Sequence, residues 1–113
     1  RNVGGLKVLT ATKNGVSADD LRKLGDLLRE TSQDTVAVLS AVNDEKITLL
    51  AVCGKNAVQK GIKAGELVKK VSGICGGSGG GKPDSAMGGG KDLTKLDDAL
   101  AVVDDFVAEK LGL

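Results

Sequence analysis

Histidine, tryptophan and tyrosine are absent from this chain, Phe106 is its one aromatic residue and Pro83 its one proline. Without histidine there is no imidazole to serve as a general base or to complete a conventional zinc site. The two cysteines, Cys53 and Cys75, are too far apart in sequence for a Cys-x-x-Cys pair. They read as reduced, half-buried thiols of a cytosolic protein, with a disulfide or a reactive Cys75 as the competing reading. A lone aromatic cannot build the stacking platform with which readers of single-stranded nucleic acid hold bases. No apolar run approaches the roughly 20 residues that a membrane helix needs, and no signal peptide precedes the first predicted strand.

Catalytic patterns are missing as well. Asp97-Asp98 and Asp104-Asp105 are adjacent pairs that diverge by about 100° around a helix, so they read as a solvated face rather than as two carboxylates on one substrate. Gly76 to Lys82 matches the start of a P-loop, but Pro83 stands where the magnesium-binding hydroxyl belongs and the run follows a helix instead of a strand. G-x-G-x-x-G does not occur in full, and the one G-x-S-x-G match, Gly76 to Gly80, lies in a chain with no histidine to act as the base. No catalytic residue and no metal ligand set is therefore assigned.

What the chain has in excess is glycine. Nine of its seventeen glycines fall between Gly73 and Gly90, in the run Gly-Ile-Cys-Gly-Gly-Ser-Gly-Gly-Gly-Lys-Pro-Asp-Ser-Ala-Met-Gly-Gly-Gly. So much backbone freedom is costly to order. Either the run is a flexible linker, or it is a loop whose amides approach a phosphate or ribose more closely than side chains allow. Patterned helices on both sides, the interruption at Lys82-Pro83 and the ordered insert Ser85-Ala86-Met87 favour the loop. Charge coincides with it: residues 55 to 91 carry seven basic and two acidic groups, a net +5, in a chain whose total is +1. A solvated basic face is one reading and a polyanion partner is the other.

At 113 residues, 41% hydrophobic and 27% charged, the chain reads as a single globular domain, residues 1–113, with one modest core. It starts at Arg1 rather than at a methionine, which predicts a piece of something longer. Val3 to Thr12 alternates as a strand, Asn14-Gly15 marks a turn, and Ser17 with Asp20 predicts a capped helix from Ala18 to about Glu30. Thr35–Val42 and Ile47–Cys53 are β-branched runs joined by Asn43 to Lys46, a spacing that predicts a buried hairpin. A second helix is expected at about Ala64 to Ile74, a short strand near Ser85 to Gly88, and a last helix after the N-cap Asp92, with Leu96, Leu100, Val103, Val107 and Leu111 in one stripe. The fold class is α/β: a mixed β-sheet with helices packed on it, in the order β-α-β-β-α-(glycine-rich loop, short β)-α. The first two long strands should run parallel through a crossover.

Three stretches carry a family resemblance: Lys63-Ala-Gly-Glu-Leu-Val68, then Gly76-Gly-Ser-Gly-Gly-Gly-Lys82-Pro-Asp-Ser-Ala-Met-Gly-Gly-Gly90, then Leu96-Asp-Asp-Ala-Leu100. They closely resemble the C-terminal domain of alanyl-tRNA synthetases, the DHH-associated domain found also in nucleic-acid phosphoesterases. The phosphoesterase branch usually has histidine after the three glycines; Lys82 here favours the synthetase branch. Gly88 departs from that branch, which often has alanine there, and leaves the last glycine turn open.

The resemblance implies a non-catalytic domain of a ligase that touches the elbow of tRNA, tRNA-Ala in particular, and helps aminoacylation and editing act on one bound molecule. It also implies a cytoplasmic setting and a homodimer formed through a preceding segment of the parent chain. ATP, magnesium and zinc would be cofactors of other modules, with none in this stretch. On that basis the amides of Gly79, Gly80 and Gly81 and the ammonium groups of Lys82 and Lys91 are expected to meet ribose and phosphate. Lys63 and Lys70 would add long-range attraction, Pro83 would set the exit of the loop, and Ser85 would donate a hydrogen bond. Two other readings stay open: the substrate-binding lobe of an oligonucleotide or cyclic-dinucleotide phosphoesterase, or a module used mainly for oligomerisation.

Overall fold

The computed structural model describes residues 2–43 and 46–112. Eleven elements follow one another: β1 (Asn2–Val3), β2 (Leu6–Asn14), α1 (Ala18–Thr31), β3 (Thr35–Asn43), β4 (Lys46–Cys53), α2 (Lys55–Gln59), α3 (Ala64–Ile74), β5 (Ser78–Gly81), β6 (Ser85–Gly90), a 3-10 turn (Leu93–Lys95) and α4 (Leu96–Leu111). The strands form one mixed sheet in the order β1-β2-β3-β4-β6-β5. Only β2 and β3 are parallel, with α1 as their connection. The hairpin predicted between β3 and β4 pairs antiparallel from Val36 opposite Cys53 to Asn43 opposite Lys46. Two of its turn residues, Asp44 and Glu45, lie outside the described residues.

The fold class agrees with the sequence reading, as do the bounds of α3. Ser17 caps α1 by accepting from the amide of Asp20, and Asp92 accepts from the amide of Thr94 at the start of the last helical segment. Three short elements, β1, α2 and β5, go beyond what the sequence predicts. The glycine stretch is neither linker nor loop: it is a second hairpin, β5 on β6, from Ser78 opposite Gly89 to Gly81 opposite Ala86.

Period-2 alternation divides the core between two faces. Leu6, Val8, Val36, Val38, Leu49 and Ala51 point to the side covered by α3 and α4, where Leu67, Val68, Val71, Val103 and Val107 pack on them. Ala37, Leu39, Ala41, Leu50 and Val52 point to the side of α1 and meet Leu21. Helix α1 lies close to β4, since a Cβ at Gly25 would stand 2.5 Å from Leu50 Cδ2. It contacts β3 and β4 but leaves the α1-side face of β5 and β6 largely uncovered.

Helix α3 is seated on the glycine strands themselves. A Cβ at Gly88 would run into Ser72 Oγ and come within 2.9 Å of Gly79 Cα, and a Cβ at Gly90 would run into Cys75 Cβ. Ser72 Oγ is buried there without a hydrogen-bond partner among the described residues. Substituting Gly88→Ala forces this seat apart, and chemical denaturation should register a loss of about 1–3 kcal/mol. Gly73→Ala, in the same segment but with no atom within 4 Å of the added carbon, should be neutral or gain up to about 1 kcal/mol. Equal losses at both positions would mean that close approach of α3 is not what Gly88 provides.

Candidate functional site

The tip of the glycine hairpin is tied to three other elements. The Pro83 carbonyl accepts from the Ala64 amide at the start of α3 (2.8 Å), and the Asp84 carbonyl accepts from the Cys53 amide at the end of β4 (3.0 Å). From α1, the Arg29 guanidinium donates to the Asp84 carboxylate at 2.7 Å and also pairs with Asp26 at 3.2 Å. Within the hairpin, the Lys82 amide donates to the Ser85 carbonyl at 3.1 Å. Proline suits this tip, because its fixed φ lowers the entropy of the turn and its carbonyl is the atom in use.

Surface recesses open on either side of this tip. On the α3 side, Lys63, Gly65, Lys69 and Pro83 join Gly79, Gly80 and Gly81 around 330 Å³. On the α1 side, Arg22, Arg29, Lys82, Ser85 and Met87 share 470 Å³ with Gly80 and Gly81. A third recess of 580 Å³, at the tip, is lined by the cations Arg29, Lys55 and Lys82, the acids Glu30 and Asp84, and Cys53. Gly80 belongs to both flanking recesses, and a Cβ there would meet nothing within 4 Å. Its neighbours differ: Gly79 abuts Gly88 Cα at 2.7 Å and Gly81 abuts Ala86 Cα at 2.9 Å from the added carbon. Packing accounts for Gly79 and Gly81. It does not account for Gly80.

The expected site residues are therefore partly gathered. Gly79, Gly80, Gly81, Lys82, Pro83, Ser85 and Lys63 surround the tip. Lys91 lies beyond the other end of β6, in a separate recess with Lys46. Lys70 is elsewhere: its ammonium sits 5.9 Å from the centre of the Phe106 ring on α4, a cation–π contact that turns it away from the hairpin. Three cations that sequence reasoning passed over take part, namely Arg22 and Arg29 from α1 and Lys69 from α3. Arg22 and Arg29 are seven residues apart, which returns a helix to nearly the same face, and that spacing was the available signal.

This arrangement offers backbone and fixed positive charge, and it lacks a nucleophile with a base. Both cysteines are free and buried. Burial, with the Asp84 carboxylate adding in the same direction, pushes the Cys53 thiol up to about 12, and burial likewise raises Cys75. Among the described residues no three cysteine, aspartate or glutamate side chains converge on a point where a metal could be held. Among the described residues no helix is long and apolar enough to cross a membrane.

The sequence model of the DHHA1 domain matches residues 5–109. The chain belongs to the DHHA1 domain family. This DHHA1 domain is 42% identical over 110 residues to the alanine–tRNA ligase of Alkaliphilus oremlandii, which takes in 97% of the chain and 12% of that protein. It is 43% identical over 106 residues to the alanine–tRNA ligase of Bacillus cytotoxicus, taking in 94% of the chain and again 12% of the relative. The chain thus spans about an eighth of the length of the curated relatives it matches. In three dimensions it resembles the crystal structure of the C-Ala domain from Aquifex aeolicus alanyl-tRNA synthetase, with a TM-score of 0.89, 27% identity and 96% of each chain covered.

The buried thiol of the DHHA1 domain has a measurable consequence. An unfolded cysteine loses its proton near pH 8.5, whereas folded Cys53 keeps it to about 12. Its contribution to stability is therefore whole below the unfolded value and is lost as pH rises towards 12. Denaturation midpoints measured from pH 8 to 11 should fall with pH, and the fall should be shallower in Cys53→Ala. Parallel pH profiles for the two proteins would rule this out.

Proposed function

We propose that this DHHA1 domain is the C-terminal tRNA-binding domain of an alanine–tRNA ligase, and that its glycine hairpin grips the sugar-phosphate backbone at the elbow of tRNA. By holding that corner, it lets the aminoacylation and editing parts of the ligase act on one bound tRNA. ATP, magnesium and zinc chemistry belongs, in this reading, to other parts of such a ligase, and the setting is the cytoplasm where tRNA is charged. Support comes from the two ligase relatives and from the C-Ala neighbour. The observation that carries the reading is Gly80, a residue without a side chain that no packing contact requires, between Lys63 and Lys69 on one side and Arg22, Arg29 and Lys82 on the other.

The chemistry suits a shaped polyanion better than a base sequence. Backbone amides and ammonium groups recognise phosphate and ribose whatever the base, so they position a nucleic acid without reading it. Lys82 stands where a phosphoesterase would usually have histidine, which weighs against the alternative of a phosphoesterase lobe. Few phosphates can meet so small a patch, so binding should be modest and should weaken steeply with salt. A mainly oligomeric role has one feature in its favour: β5 is a terminal strand of the sheet, free to pair along its outer edge.

Gly80→Ala separates these readings. The substitution should leave the thermal midpoint unchanged or slightly raised, since the new methyl meets no atom within 4 Å and strands tolerate alanine better than glycine. Affinity for tRNA, followed by fluorescence anisotropy at low salt, should nevertheless drop several-fold. Lys82→Ala should weaken binding and reduce the slope of log affinity on log salt by about 0.7–0.9, the value of one phosphate. If both variants bind tRNA like the wild type but change their sedimentation, the hairpin serves assembly and the proposal fails.

A further inference from the structure

The far end of the same hairpin carries a further cationic recess, of 610 Å³, that the reading above does not use. Lys46, Thr48, Ser78, Gly89 and Lys91 line it. Register explains why they meet. Thr48 lies opposite Gly89 across the β4–β6 pair, and Gly89 lies opposite Ser78 across the β6–β5 pair, so the three form one row across the sheet. The next rows towards the tip are Leu50, Met87 and Gly80, then Val52 and Ser85. Alternation turns all of these to the α1 side of the sheet, the side on which α1 leaves the outer two strands largely bare.

The outcome is a shelf whose floor is the backbone of β6 and β5, with Met87 as its one long side chain, and whose inner wall is α1. Arg22 reaches over that floor, its Nη2 standing 3.2 Å from Met87 Sδ. Arg29 and Lys82 close the tip end, and Lys46 and Lys91 close the other. From Ser85 to Gly90 the strand advances about 17 Å at about 3.3 Å per residue, the length of about five stacked nucleotides. Among the described residues, the acidic groups Asp26 and Asp84 beside the shelf are both engaged by Arg29. The hydroxyls of Thr48 and Ser78 are of the type that bonds phosphate or ribose oxygens.

Resting on the proposed tRNA-binding role, we infer that Lys46, Thr48, Ser78 and Lys91 form a second phosphate-binding subsite, so that a single RNA strand with its bases stacked runs along the bare face of the glycine hairpin from its tip to this recess. A flat glycine floor admits the strand without selecting bases, and cations at both ends fix the line along which it lies. Contact at the tip alone would hold one corner of an RNA. Contact at both ends makes affinity depend on length.

The test uses the 113-residue protein with single-stranded oligoribonucleotides of two to ten nucleotides and with tRNA, measured by anisotropy at several salt concentrations. For the wild type, affinity should climb with oligonucleotide length to about five nucleotides and then level off. In the double variant Lys46→Ala and Lys91→Ala, the levelling should come at shorter length. Binding of tRNA should weaken about fivefold, and the salt slope should fall by about 1.4–1.8, the value of two phosphates. Both lysines are exposed, so unchanged melting of the double variant confirms an intact fold; Lys91→Glu, with a larger loss of affinity, gives an independent check. An unchanged length profile and salt slope in the double variant, while Lys82→Ala still weakens binding, overturns the second subsite and leaves the tRNA-binding role standing. No binding of tRNA by the wild type overturns both.

Discussion

Helix α3 can lie directly on the outer two strands only because Gly79, Gly88 and Gly90 present no side chains towards it. That seat brings the first turn of α3 to the hairpin tip, where the Ala64 amide takes the Pro83 carbonyl. It also shapes the edge of the sheet: with Ser72 and Cys75 pressed against the backbone of the hairpin, there is no apolar layer between helix and strands at that end. Strand alternation then sends Gly80 and Gly89 to the opposite face, next to Met87. One stretch of glycine thus answers two demands, close helix packing behind and an unobstructed backbone in front. The first is a matter of folding and the second has no folding reason at Gly80.

Charge follows the same geometry. The surplus of the middle third of the chain is not spread evenly over the surface, because adjacent lysines on α3 part company. Lys69 joins the recess at the glycine edge, while Lys70 lies over Phe106 together with Lys110, whose ammonium is 5.6 Å from the ring centre and which also pairs with Glu66 at 3.2 Å. Cations from α1 compensate, since the sheet order puts α1 beside the hairpin and its Arg22 and Arg29 on the same side as Lys82. Arg29 holds Asp84 and so fixes the tip as well as adding charge. A half-buried pair of this kind, still open to solvent screening, contributes little to stability, about 0–1 kcal/mol, and its value lies in orientation.

Where side chains carry a pattern, the sequence was legible. Continuous apolar, β-branched runs marked β3 and β4 to within a residue, the Ser17 cap marked the start of α1, and the apolar spacing of Leu67, Val68 and Val71 marked α3. Strand β5 could not be found that way, because Ser-Gly-Gly-Gly has no alternation to display and its strand character comes from pairing with β6. Local charge counting likewise grouped Lys63, Lys70, Lys82 and Lys91 as neighbours in sequence, although helix rotation and strand length separate Lys70 and Lys91 from the tip. Arg22 and Arg29 were hidden for the converse reason: they are distant in sequence and adjacent to the hairpin only through the sheet order.

Which amides sense a bound tRNA decides whether the glycine hairpin is the contact surface. Backbone amide shifts of the isotopically labelled domain, recorded while tRNA is added at low salt, should move first at Gly79 to Ser85 and along β6, and should return when salt is raised. Shifts confined to the acidic face of α4, with the glycine hairpin silent, would contradict it.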